Sequence, residues 1–349
     1  MLKLLYQQDN FPIFQNRMYD TKDEAINCPK GNIRLLQNLE TGLVYNDAFL
    51  PELMDYDGNY QNEQAVSPLF QRHLEAVATV ISGSMGEKNL VEVGCGKGYF
   101  LEMLLTKGFD ITGFDPTYEG INPRVKRQYF EPGVIEKAKG LILRHVLEHI
   151  QNPVSFLEQL KVANGGSGKI YIEVPCFDWI CKHSAWFDIF YEHVNYFRLV
   201  DFHRMFGKVY ESGHIFGGQY LYVVADLATL QKPVFNQADK FLFPSNFSSG
   251  IARLAVLTKG KRNVVWGGAS KGVIFTLYMQ REGVKIDLII DINPAKQNKF
   301  IAASGLKICS PEDGLRKLQQ GDDIFVMNSN YLKEVIELTN NQFNYIKVD

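Results

Sequence analysis

The pattern of apolar and polar positions changes twice along the chain. Residues 1 to about 66 are polar, turn-rich and weakly periodic, with NCPKGN and DYDGNYQNEQ reading as loops and GLVYN as a short strand. From Pro68 a helical spacing runs through LFQRHLEAVATVI, and a regular alternation follows. Strand NLVEVG, helix YFLEMLLTKG, strand DITGFD, strand GLILRHV, helix VSFLEQLKVA and strand KIYIEVP succeed one another. Strand and helix in turn predict a parallel sheet covered on both faces. Helix LVDFHRMFG then leads to two strands, KVYESGHI and GQYLYVVAD, joined at Gly217-Gly218, a hairpin placed to close that sheet. A second α/β series starts near Lys261 with NVVWGG, KGVIFTLYMQREG, KIDLIIDI, PEDGLRKLQQ, DDIFVMN and LKEVIELTN.

These patterns predict an α/β protein: a small irregular N-terminal module over 1–66, a Rossmann-like domain over 67–232 and a second, smaller Rossmann-like domain over 233–349. The last opens on a connector carrying Pro233, Pro244 and an SSG run. With 349 residues, 46% of them hydrophobic, the chain can fill two or three cores. Its 37 Lys and Arg nearly balance 39 Asp and Glu, so no global field recruits nucleic acid or an anionic membrane. No apolar run approaches the ~20 residues of a membrane helix, and the first residues lack a signal-peptide layout. Five cysteines without a CxxC pair or metal spacing point to a reducing cytoplasm and to no metal centre.

Candidate chemistry gathers at two places. VEVGCGKGYF sets Gly94, Gly96 and Gly98 between a strand and a helix, where backbone amides face an incoming ligand. The spacing is GxGxG, not the GxGxxG that receives a pyrophosphate. Asp115 ends the next strand, placed to accept both hydroxyls of a ribose. Opened by Glu92 and followed by LILRHVLEHI with His145 and His149, this series resembles the class I S-adenosylmethionine-dependent methyltransferases. The resemblance implies S-adenosylmethionine as cofactor, held by Glu92, Gly94, Gly96, Gly98 and Asp115. A second glycine turn, VVWGGASKG, also precedes a helix, and Asp291 ends its next strand, but its glycines lack the dinucleotide spacing.

The stretch DLIIDINPAKQNKF looks like the C-terminal domain of sugar C-methyltransferases, which act on nucleotide-linked keto-deoxysugars in antibiotic and surface-polysaccharide pathways. FDIFYEHVNYF and the Gly217-Gly218 hairpin fit the same resemblance, which covers roughly residues 60 to 349. Members of that family commonly begin with a multi-cysteine zinc module. Here only Cys28 stands in that region, so a zinc-less module is expected.

Methylating carbon requires removal of a proton beside a ketone and stabilisation of the enolate oxygen. The expected equipment is His193 as base, Glu192 as its orienter or an alternative base, and Tyr191 as donor to the oxyanion, with His149 and His145 on the opposite wall. Adjacent residues of an extended strand face opposite ways, so the Tyr-Glu-His run can equally be a structural brace. Two other functions stay open: O- or N-methylation of a related small molecule, and nucleotide binding without turnover. The expected partner is a small molecule, a nucleotide sugar by resemblance.

Overall fold

The computed structural model describes residues 1–54, 59–239, 241–258, 260 and 262–349. The first four residues of the expected loop DYDGNYQNEQ, and Lys261 at the start of the second α/β series, lie outside them. Among the described residues no helix is long and apolar enough to cross a membrane.

A seven-stranded sheet forms the centre. Its order is Val209–Ile215, Tyr220–Asp226, Lys169–Pro175, Gly140–Arg144, Leu90–Val93, Ile111–Phe114 and Val125–Lys126. The five strands from Lys169–Pro175 onward pair in parallel, and the Gly217-Gly218 hairpin adds two antiparallel strands at one edge. Gly217 and Gly218 both take positive φ, +67 and +85, which L residues adopt only with strain. Strands buried on both faces explain why LVEV and LILR are apolar but for one residue each, Glu92 and Arg144. A second sheet, of five parallel strands, runs Ile308–Cys309, Leu288–Ile290, Asn263–Trp266, Asp323–Val326 and Asn344–Lys347. The architecture is thus α/β and Rossmann-like. Two short parallel strands, Ile308–Cys309 and Asn344–Lys347, extend the second sheet beyond the expected series.

The N-terminal module differs from the expectation of irregularity. Leu2–Pro12, Lys30–Asn38, Val44–Asn46 and Asn195–Tyr196 build a four-stranded antiparallel sheet. Register shifts between Leu4 and Tyr6 and between Gln8 and Phe11 break the alternation that would have announced its first strand. NCPKGN is likewise only half a loop, because Lys30 already opens a strand. The fourth strand comes from near the end of FDIFYEHVNYF, so this sheet is completed by the central part of the chain. A two-stranded pair, Met18–Tyr19 with Phe300–Ile301, ties the module to the C-terminal part as well.

Gly31 shows how closely these parts meet. A Cβ there would lie 2.2 Å from the ring of Tyr191, which is fully buried. Gly31→Ala should therefore lower the denaturation midpoint, at unchanged slope, by about 1–3 kcal/mol of overpacking. An unchanged midpoint would show that the Tyr191 ring can move aside.

Candidate functional site

The two α/β units face one another across a cleft of about 380 Å³, within the range of small-molecule sites. One wall is the turn Gly94 to Lys97; the opposite wall is the turn from Gly267 to Gly272 with Asp291, Asn293 and Lys296. Asn16 and Tyr60 of the N-terminal region reach the rim.

The first turn needs its glycines. Gly94, Gly96 and Gly98 have φ of +71, +53 and +81, all in the left-handed region. A Cβ on Gly94 would meet Val146 at 2.6 Å, whereas one on Gly96 would meet nothing within 4 Å, so the space over Gly96 is open to a ligand. Gly98 caps the helix Tyr99–Thr106. Asp115 sits behind the turn and does not line the cleft. Its carboxylate accepts the Gly96 N–H at 2.8 Å, the Thr117 N–H at 2.8 Å and the Thr117 hydroxyl at 2.8 Å. It anchors the turn first, and a carboxylate's four or so lone-pair sites leave room for one more donor. Glu92 does line the cleft; it is buried, and its Oε2 has no partner. Burial, opposed by Arg144 and reinforced by Asp115, pushes its carboxyl up to about 8.

An open glycine turn beside an unpaired carboxyl fits the cationic methionine end of S-adenosylmethionine. Glu92 would hold that end, the Gly94–Gly98 turn its flank, and Asp115 would keep the turn in shape.

The five histidine, glutamate and tyrosine candidates separate. Tyr191 turns away from the cleft: its hydroxyl accepts the Leu50 N–H at 2.9 Å, and its ring lies against Phe49. Glu192 is also buried away from it. Its carboxylate accepts from the backbone of Gln15 and Asn16 and from the Tyr60 hydroxyl at 2.6 Å, fastening the N-terminal module. Neither residue reaches the cleft, which corrects the expectation of an oxyanion donor and an orienting carboxylate there. The cause is a turn at Tyr191-Glu192 that sends both side chains to the N-terminal module.

His193 and His149 do line the cleft, with ring centroids 5.0 Å apart and planes nearly perpendicular. Two bonds bring their segments together: Val194 N–H donates to the Glu148 carbonyl at 2.8 Å, and His149 Nδ1 meets the Glu192 carbonyl at 2.9 Å. A carbonyl can only accept, so His149 Nδ1 carries the proton. Burial, with the nearby His149, His145 and Lys271, holds His193 well below its ordinary value, so it is neutral at pH 7.

His145 is no base. Burial alone would lower it, but hydrogen bonds to Glu148 at 3.3 Å and Glu173 at 3.1 Å prevail and push it up to about 9. Glu173 escaped the sequence reading. Fully buried in strand Lys169–Pro175, it also receives Arg144, His73 at 2.9 Å and the Tyr171 hydroxyl at 2.8 Å. Burial opposes its ionisation, yet Arg144 and the two histidines hold it well below the carboxylate range. Its only sequence signal was a charged residue inside an otherwise apolar strand.

The signs of these shifts give a stability profile. His145, raised from 6.5 to about 9, stabilises fully below pH 6.5, and that contribution is lost as pH rises through 9. Glu92, raised from 4.5 to about 8, likewise makes stability fall between those values. Denaturation between pH 6.5 and 9 should show a falling ΔG that is flatter in His145→Gln; equal slopes in both proteins would refute the imidazolium.

The comparisons with known proteins agree with this geometry. A family profile described as "Methyltransferase domain" matches residues 59–209, and one described as "C-methyltransferase C-terminal domain" matches residues 252–345. No curated protein matches the chain. Among solved structures, the plantazolicin methyltransferase BpumL in complex with SAH and a triazolic desmethylPZN analog is 18% identical, over 33% of this chain and 50% of its own, at a TM-score of 0.28. The chain therefore spans about half the length of those plantazolicin structures. A Haloferax volcanii complex of the Trm112 activator with a methyltransferase gives 13% identity, 50% and 95% coverage and a TM-score of 0.38. A SAM-dependent methyltransferase from Aquifex aeolicus gives 15%, 47% and 95%, and 0.36. Both profiles fall on the two α/β units that face the cleft, so the chain carries a methyltransferase domain joined to a C-methyltransferase C-terminal domain.

Proposed function

We propose that this protein methylates a carbon atom next to a ketone on a nucleotide-linked sugar, with His193 as the base that creates the carbon nucleophile. The observation that carries this reading is the pair of cleft-facing imidazoles, His193 and His149, on a wall between the glycine turn Gly94–Gly98 and the second α/β unit. S-adenosylmethionine, when bound, supplies an electrophilic methyl group. His193 takes the proton from the carbon, and the electron pair moves onto the ketone oxygen. His149, held by the Glu192 carbonyl, fixes the position of the facing ring. O- or N-methylation would need only a positioned base and no carbon acid.

The far wall suits the nucleotide part. The helix Ser270–Arg281 points its N-terminus at the cleft, and Lys271 stands at its first turn, 2.9 Å from Asp188. Backbone amides and a lysine at a helix start attract phosphate. The family description of this unit, a C-methyltransferase C-terminal domain, supports the same reading.

His193→Ala should lose about 10²–10⁴-fold in turnover with S-adenosylmethionine affinity retained. Proton exchange at the acceptor carbon in deuterated water should disappear with it. Exchange that persists in the variant would remove His193 from the proton transfer.

Asp115→Ala should weaken S-adenosylmethionine by about 1.5–3 kcal/mol, the scale of hydrogen bonds to a charged group. Calorimetry with intact affinity in the variant would show that the turn holds its shape alone.

A further inference from the structure

One cluster in the cleft has the composition of a metal site. Glu148, His149 and His193 each offer a donor atom, and these atoms all lie within 4.8 Å of one another. Three donors so spaced surround a point no more than about 2.8 Å from each, so small side-chain rotations reach the ~2.0–2.2 Å of zinc bonds to nitrogen and oxygen. Two further features suit a cation. Glu148 is 1% exposed; His145 meets its Oε1 at 3.3 Å, while its Oε2 has no partner and is free to take a further positive group. His149 donates Nδ1–H to the Glu192 carbonyl, which aims the Nε2 lone pair and mirrors the outer hydrogen bond that metal-ligating histidines make.

We propose that Glu148, His149 and His193 bind one divalent transition-metal ion of the zinc class in the wall of the cleft, and that its binding blocks turnover. Two imidazoles with one carboxylate select zinc, cobalt or iron over magnesium and calcium, which prefer all-oxygen shells. The remaining coordination positions face the cleft, where water or a substrate oxygen can fill them. The block rests on His193 acting as the base proposed above, because an imidazole that ligates a metal no longer takes a proton; the binding does not rest on it.

The test uses the full chain, stripped with a chelator and titrated with Co²⁺ by visible absorption and with Zn²⁺ by calorimetry, Mg²⁺ serving as control. One equivalent of Co²⁺ and of Zn²⁺ should bind and Mg²⁺ should not. His149→Ala should weaken binding at least about 10-fold while keeping wild-type S-adenosylmethionine affinity as the check on folding; Glu148→Gln is the second variant. Absent or non-stoichiometric binding, or affinity unchanged in both variants, overturns the site. In turnover assays Zn²⁺ should inhibit the wild type and a chelator should restore it. Stoichiometric binding lost in the variants but without inhibition would leave the site standing and overturn His193 as base.

Discussion

The need to pair one buried carboxylate organises the catalytic half of this molecule. Glu173 has no solvent, and an unpaired ionised group there would cost several kcal/mol. Its donors come from three directions: His73 from the helix Pro68–Met85, Arg144 from the end of the neighbouring strand, and His145 from the turn beyond it. The backbone at His145 adopts φ +51, a left-handed conformation that is disfavoured for a side-chain-bearing residue. It persists because the His145 N–H donates to the Glu173 carbonyl at 2.9 Å while its ring is held by two carboxylates. That fixed turn leads into Leu147–His149, which brings Glu148 and His149 to the cleft. Glu173 therefore positions the site without lining it.

The segment from Phe187 to Phe197 does the complementary work on the other side. Its turn divides three adjacent polar residues between two environments. Tyr191 and Glu192 satisfy N–H groups of the N-terminal module, and His193 faces the cleft. Asn195–Tyr196 then joins the N-terminal sheet as its fourth strand. Fastening the module and aiming His193 are consequences of the same few residues, so a substitution at Glu192 would disturb both. The aromatic residues that dominate the segment follow from this position: a joint between layers has no solvent face, and Phe187, Tyr191 and Phe197 are fully buried.

The parallel sheets were readable because strands covered on both faces write mostly apolar runs, as LVEV, LILR and NVVW do with one polar residue each. The glycine turn was readable because left-handed backbone selects glycine at three alternate positions. Of the N-terminal sheet only the strand in GLVYN was, since bulges between Leu4 and Tyr6 and between Gln8 and Phe11 disturb the period of two in its first strand. Tyr191-Glu192-His193 gave the residues but not their directions, because only the turn, a tertiary feature, decides which side chain faces which layer. The meeting of His149 with His193 was equally hidden: it depends on hydrogen bonds between segments far apart in the chain.

Asp115 and Asp291 show why an acid at the end of a strand is an ambiguous sign. Asp115 accepts the N–H groups of Gly96 and Thr117, both at 2.8 Å. Asp291 accepts those of Gly268 and Asn293 at the same distances. The arrangement repeats because a strand-to-helix turn leaves amides without backbone partners, and a carboxylate at the next strand end satisfies them. What differs is the space and the charge around each turn. The position over Gly96 is open, whereas a Cβ on Gly272 would lie 1.9 Å from the Gly267 carbonyl oxygen. Two residues before the leading glycine stands Glu92, with an unpaired carboxyl oxygen, in the first unit and the buried Val265 in the second. Lys296 stands 3.7 Å from Asp291 and pairs with it, so the second turn carries a neutralised acid. The first turn is thus left open beside an unpaired carboxyl oxygen, and the second is drawn tight with its carboxylate paired. Two copies of one turn are therefore told apart by the groups around them and not by the acid that both share.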